Sequence, residues 1–200
     1  MSTVPETVEI REDQIGRTLE SAGQADHGRV REILAKAREL QGLDSSEVAA
    51  LMGVEDQALL EELFHAAREV KEGIYGKRLV LFAPLYISNL CANECLYCAF
   101  RASNKLLKRR ALSQEEIALE VKLLVEQGHK RILMLAGESY PRQGFQYVLD
   151  SIETIYSVIS GPGEVRRVNV NVAPLTLDEF RLLKDARIWT YQLFQETYHR

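Results

Sequence analysis

The chain has 200 residues, 46% hydrophobic and 27% charged, with a formal charge of −4. That is enough apolar residue for one or two cored domains, and so mild a charge gives no ground for nucleic acid or an anionic membrane as the main partner. The longest apolar runs are far shorter than the ~20 residues of a bilayer span, and the acidic, polar start MSTVPETVEIREDQ is no secretory signal, so a cytoplasmic protein is expected.

Residues 1 to about 24 are polar and aperiodic and read as an arm or a loosely packed lead-in. From Asp26 the pattern is helical: Val30, Ile33, Leu34, Ala37 and Leu40 recur at spacings of three and four, with Gly42 as a stop. LDSSEVAALMG is a short helix capped by Asp44 or Ser45 and closed by Gly53. Residues 56–76 form a third helix with a stripe through Leu59, Leu60, Leu63, Phe64, Ala67 and Val70. Residues 1–75 are therefore expected to be a helical extension.

After Gly76 strands and helices alternate. RLVLFAPLYIS, KRILMLAGE and VRRVNVNVA read as strands, and RIWTYQLFQETYH as a fourth strand with its trailing loop, the four starting near 79, 130, 165 and 188. Between them lie the helices SQEEIALEVKLLVEQG, with a capping box at Ser113 and Glu116, QGFQYVLDSIETIYSVIS, and TLDEFRLLKDA. Units of roughly thirty residues imply a parallel sheet with right-handed crossovers. The fold class is α/β. Residues 76–200 would be four βα units, half of a (β/α)8 barrel that typically needs about 250 residues, so the chain is expected to be the N-terminal portion of a longer protein.

All three cysteines sit in the loop after the first strand, in ISNLCANECLYCAFRASNK, at Cys91, Cys95 and Cys98. The spacing alone admits a 4Fe–4S cluster with one open iron, a zinc site completed by His27, His65, His129 or His199, or three unligated thiols. The loop's place at the end of a strand, where α/β barrels put their active sites, favours the cluster, as does Tyr97 directly before the last cysteine.

Residues 86–110 and 130–199 resemble the radical S-adenosylmethionine (SAM) superfamily, through the cysteine motif and through GHKRILMLAGE, YVLDSIETIYS, VRRVNVNVAPLTLDEFRLLKDA and TYQLFQETYHR. Within it the chain is similar to the HydG-type tyrosine-lyase maturases of the iron-only hydrogenase and, next, to the thiazole-pathway tyrosine lyase (2-iminoacetate synthase). The resemblance implies a partial TIM-like barrel and a 4Fe–4S cluster on Cys91, Cys95 and Cys98, with SAM chelating the open iron. One-electron cleavage of SAM would give a 5′-deoxyadenosyl radical that attacks L-tyrosine, yielding p-cresol and dehydroglycine, the source of carbon monoxide and cyanide for hydrogenase assembly. It also implies an acidic electron donor such as ferredoxin or flavodoxin, and hydrogenase maturation proteins as partners.

On the family GE pattern Glu138 would hold the SAM amino group, the alternative being a helix-capping or surface glutamate; Gly137 would admit a close backbone approach to the cofactor, and Tyr97 would pack on the adenine or serve as a structural core aromatic. Strand alternation turns Val168, Val170 and Val172 towards the helices and Asn169 and Asn171 towards the lumen, where Asn171 is the nearer to SAM or substrate. Glu196 would reach the SAM ribose or substrate, and His199 would serve proton transfer or be a solvated loop residue. The cations Arg101, Lys105, Lys108, Arg109 and Arg110 read as a solvated face, or alternatively as a docking patch for the reductant. The chain departs from the branch at Ala99, where glycine is common, at GESYP, and in having no cysteine after Cys98 for a second cluster. A catalytically inactive metal-binding module is the contrasting reading.

Overall fold

A computed structural model describes residues 10–23 and 26–195. The chain divides into two compact units, Met1–Leu79 and Val80–Arg200.

The first unit is helical. It holds α1 (Glu12–Ala22), α2 (His27–Arg38), α3 (Ser45–Met52) and α4 (Gln57–Tyr75). Asp26, Asp44 and Asp56 each turn a side-chain oxygen onto the first-turn amides of the following helix, and Glu47 completes a capping box on α3. Val30, Leu34, Val54, Leu59 and Ala66 form the unit's core. The arm expected over the first 24 residues is corrected: residues 12–22 are helical. Ile15 and Leu19, four apart on one face, line an apolar groove with Val48, Ala49 and Met52 of α3, and this packing supports a helix that has no side-chain cap.

The second unit is a βα repeat: β1 (Ala83–Ser88), α5 (Gln114–Glu126), β2 (Arg131–Ala136), α6 (Gln146–Ser157), β3 (Ile159–Ser160), β4 (Gly163–Glu164), β5 (Arg167–Asn171), α7 (Leu177–Asp185) and β6 (Thr190–Tyr191). Four strands form a parallel sheet in the order β1-β2-β5-β6, while β3 and β4 make a small antiparallel hairpin that the sequence reading absorbed into the end of a helix. Capping boxes start α5 (Ser113, Glu116) and α7 (Thr176, Glu179).

One face of the sheet is the core. Leu85, Ile87, Ile132, Met134, Val168, Val170 and Val172 pack with Ile117 and Val121 of α5, Val148 and Ile152 of α6, and Leu183 of α7. Burial at about 25 cal/mol per Å² of apolar surface is what drives this layer together. The alternating residues, Tyr86, Leu133, Leu135, Asn169 and Asn171, turn to the other face and are exposed or half-buried.

Two strands are shorter than the sequence suggests. The ladder between β1 and β2 begins at Ala83 opposite Ile132, and the chain before β2 is a turn through Gly128, so residues 79–82 have no partner and are not strand. The fourth strand shrinks to Thr190–Tyr191, at the edge of the sheet and paired only with Asn169 and Val170. No described helix is long and apolar enough to cross a membrane.

Candidate functional site

The loop from Asn89 to Arg110 leaves the C-terminal end of β1 and returns beside it. Leu112 donates its amide to the Ile87 carbonyl at 2.8 Å, and Ser88 bridges Ala111. The Asn89 side chain continues the pairing: its Nδ2 donates to the Lys108 carbonyl at 2.9 Å and its Oδ1 accepts from the Arg110 amide at 2.7 Å. From α6, the buried Tyr147 hydroxyl hydrogen-bonds the carbonyls of Ile87 and Leu112, each at 2.9 Å. Burial pushes the Tyr147 pKa up to about 12.

Inside the loop the backbone turns twice, with the Cys98 amide on the Cys95 carbonyl at 2.9 Å and the Ala102 amide on the Asn93 carbonyl at 2.8 Å. The Phe100 amide donates to Cys98 Sγ at 3.4 Å. Glu94 is held on the far side of the loop, where the Ser103 hydroxyl first, then its amide and the charges of Lys105 and Arg101, keep the carboxyl below its usual range.

Cys91, Cys95 and Cys98 are half-buried and line one cavity of about 310 Å³. Its other walls include Tyr86, Phe100, Gly137, Glu138 and Asn171, so the cavity opens at the C-terminal ends of β1, β2 and β5. Tyr86 and Phe100 meet edge to face at 5.9 Å. Glu138 is tied to the cysteine loop, since Asn93 Nδ2 donates to its Oε2 at 2.7 Å. Asn171 donates to the Gln192 carbonyl at 2.8 Å, while Oδ1 of Asn169, one layer deeper, is buried without a partner among the described residues.

Of the residues picked out from sequence, the three cysteines, Gly137, Glu138 and Asn171 are thus brought together. Tyr97 is not: it is 70% exposed and absent from the cavity wall, where Phe100 and Tyr86 supply the aromatic faces instead. Gly137 also has a role inside the fold. A Cβ there would fall 2.2 Å from the Leu90 carbonyl oxygen and 3.0 Å from Cys91 Cβ, so the missing side chain admits the cysteine loop itself. Glu196 and His199 lie outside the described residues.

The cationic run is not a uniform solvated face. Arg109 is half-buried and bonds the carbonyls of Asn89, Phe100, Arg101 and Asn104. Arg101 and Lys105 bond loop carbonyls as well, and Arg110 pairs with Glu116. Sequence reasoning missed Asn93, Phe100 and Arg109; a polar residue between two ligand-type cysteines was the one available signal, for Asn93.

Three soft sulfur donors, one already accepting an amide N–H, around a pocket with apolar walls suit an iron–sulfur cluster, whose potential such N–H···S bonds tune. Among the described residues no three His, Cys, Asp or Glu converge where a single ion would sit. Thiolates that each bind a different iron of a larger group have no need to.

A family model for the radical SAM superfamily matches residues 85–200, more than half of the chain. The chain belongs to the radical SAM superfamily. Members of that superfamily bind a 4Fe–4S cluster and S-adenosylmethionine. The crystal structure of HydG, a maturase of the FeFe-hydrogenase, superposes with a TM-score of 0.91 at 46% identity, covering 95% of this chain and 42% of that one. The 2-iminoacetate synthase of Escherichia coli (strain K12) is 29% identical over 173 residues, 86% of this chain and 44% of the relative. The FeFe-hydrogenase maturase subunit HydE of Thermotoga maritima is 30% identical over 167 residues, 84% of this chain and 46% of the relative. This radical SAM chain thus spans less than half the length of the relatives it matches. The four-stranded sheet of its second unit, with helices following the strands, is the α/β architecture shared with those barrel enzymes.

Proposed function

We propose that the chain carries the radical-initiating part of a tyrosine lyase of the hydrogenase-maturation type. Cys91, Cys95 and Cys98 would hold a 4Fe–4S cluster, with SAM binding at its open iron. When bound and reduced, the pair supplies one-electron cleavage of SAM to methionine and a 5′-deoxyadenosyl radical able to take a hydrogen atom from tyrosine.

The chain's own residues prepare the place. Glu138 takes the SAM ammonium group, and Asn93 fixes the orientation of that carboxylate. The Phe100 amide supports the Cys98 sulfur, and the rings of Tyr86 and Phe100 give the cavity an apolar wall. Asn171 offers a polar contact at the end of β5; Glu196 as a ribose or substrate contact and His199 as a proton-transfer group complete the proposed set. The electron comes from an acidic donor such as ferredoxin or flavodoxin, and the products pass to hydrogenase maturation proteins. The observation that carries the reading is the single cavity shared by the three cysteines, Glu138 and Asn171.

Tyrosine as substrate is supported by the 46% identity to HydG. The match to 2-iminoacetate synthase supports a second reading, the thiazole-pathway lyase, which shares the first cleavage and differs in the fate of the fragment.

The test is anaerobic reconstitution with iron and sulfide, followed by reduction and electron paramagnetic resonance with and without SAM. The expected outcome is a reduced-cluster signal that changes on adding SAM, and p-cresol when tyrosine is supplied. One zinc per chain, or a cluster signal indifferent to SAM, would sink the reading. A SAM-responsive cluster without p-cresol would leave radical initiation standing and remove tyrosine.

A further inference from the structure

We propose that Arg109 is a positioning residue that builds the cysteine loop into its ligand-ready shape before any cluster is present. The inference rests on the reading of Cys91, Cys95 and Cys98 as cluster ligands, and it concerns how the chain prepares them.

The guanidinium lies inside the ring of backbone that carries the cysteines. Nη1 donates to the Asn89 carbonyl at 2.8 Å and to the Phe100 carbonyl at 2.7 Å. Nη2 donates to the Arg101 carbonyl at 2.6 Å and reaches the Asn104 carbonyl at 3.4 Å. One planar cation thus gathers four carbonyls drawn from both sides of the cysteine motif, a fork geometry that only arginine provides. Among the described residues no carboxylate takes part, so the charge is set against loop dipoles rather than an ion pair.

The link to the ligands passes through Phe100. Its carbonyl is held by Arg109, and its amide donates to Cys98 Sγ at 3.4 Å. Fixing the residue on one side of its Cα aims the amide on the other. The Asn89 carbonyl, the first of the four, belongs to a residue whose amide and side chain already pair with 108–110. The start and middle of the loop therefore meet at Arg109. A loop of this length without regular secondary structure would otherwise pay its ordering entropy when the cluster arrives.

Two consequences follow. The loop is ordered in the metal-free protein, and the cation together with the aimed N–H raises the reduction potential of the bound cluster, because both favour the state with one more electron.

The experiment compares the parent chain with Arg109→Ala, Arg109→Lys and, as a control, Lys108→Ala, whose side chain is exposed. Amide hydrogen exchange of the metal-free proteins comes first. In Arg109→Ala the amides of Ala102, Asn104 and Phe100 are expected to exchange on the order of tenfold faster or more, with the helices α5 and α6 unchanged. Arg109→Lys, with a compact ammonium that reaches fewer carbonyls, is expected to fall between, and Lys108→Ala to match the parent. After reconstitution, Arg109→Ala is expected to hold less iron and sulfide and to show a lower midpoint potential for what it holds.

Unchanged loop exchange in Arg109→Ala would overturn the proposal, as would an equal midpoint potential at equal cluster content. If α5 and α6 also lose protection in Arg109→Ala, Arg109→Lys decides. Parent-like loop exchange in a folded Arg109→Lys chain would overturn the proposal, and faster exchange confined to the loop would support it. Failure of the parent chain itself to take up a cluster would count against the proposed function, while the metal-free exchange result would stand on its own.

Discussion

Substituting alanine for Gly137 tests how the cysteine loop is seated on the sheet. The added methyl would lie 2.2 Å from the Leu90 carbonyl oxygen, 2.9 Å from its carbon and 3.0 Å from Cys91 Cβ. Ordinary contact begins at 3.4 Å, so the carbonyl must retreat by about 1 Å (3.4 − 2.2). Two of the three obstacles are backbone, which no rotamer change relieves. The strand end cannot withdraw instead without stretching the Gly137 amide from the Ser88 carbonyl, now at 3.1 Å. Overpacking of this kind costs about 1–3 kcal/mol, and loss of that hydrogen bond adds about 1 kcal/mol. The expected destabilisation is therefore about 2–4 kcal/mol. Urea unfolding followed by fluorescence reads it, since Trp189 is the one tryptophan of the chain and stacks on Arg167 at 3.8 Å in the second unit. Iron and sulfide per chain after reconstitution read the accompanying displacement of Cys91, and both are expected to drop. A Gly137→Ala protein within about 0.5 kcal/mol of the parent and loading the same iron would refute the reasoning.

The same exchange at Gly16, mid-helix in α1 with nothing near its Cβ position, is expected to stabilise that helix by about 0.5–1 kcal/mol, seen as slower amide exchange across Glu12–Ala22. Tyr147→Phe removes the hydroxyl shared by two carbonyls and is expected to cost about 1–2 kcal/mol in the same urea assay. The alkaline limb follows from the raised pKa values of Tyr140 and Tyr147, both about 12 and both due first to burial. The folded chain keeps protons that the unfolded chain gives up from pH 10, so stability is whole below pH 10 and falls as pH rises towards 12. Tyr147→Phe should flatten that limb, and an unaltered slope would contradict the assignment. Glu138→Gln is expected to weaken SAM binding about tenfold or more at unchanged cluster content, measured by titrating the paramagnetic signal; equal affinity would remove Glu138 from the amino-group site.

Much of the scaffold was written in local signals. The capping box at Ser113 and Glu116 marks the start of α5, and the alternation in VNVNV sorts valines to the core and asparagines to the opposite face, where both are half-buried. The cysteine motif needs only three positions and a preceding strand to be seen. What escaped depends on distant chain. Where β1 begins is decided by where β2 begins, fifty residues on, so the apolar run at 79–82 looks like strand and is not. The helix α1 has weak local grammar, with a glycine in its middle and no cap, and needs α3 for its apolar face. Arg109 stands in a row of cations, and nothing in that row says which one turns inward. Its partners are carbonyls, which every residue has. Gly137 was recognised as special, but the group that crowds it comes from Leu90, and only the folded loop brings that carbonyl there.

The hydroxyl of Tyr147 has a further meaning. It clasps Ile87 and Leu112, which stand just outside the Ser88–Ala111 bridge at the base of the cysteine excursion, and the Leu112 amide closes the same neck onto Ile87. Above the neck the loop still rests on the sheet at two points, the Leu90 carbonyl against Gly137 and Asn93 on Glu138, so the strand ends and the cysteine loop are held as one piece.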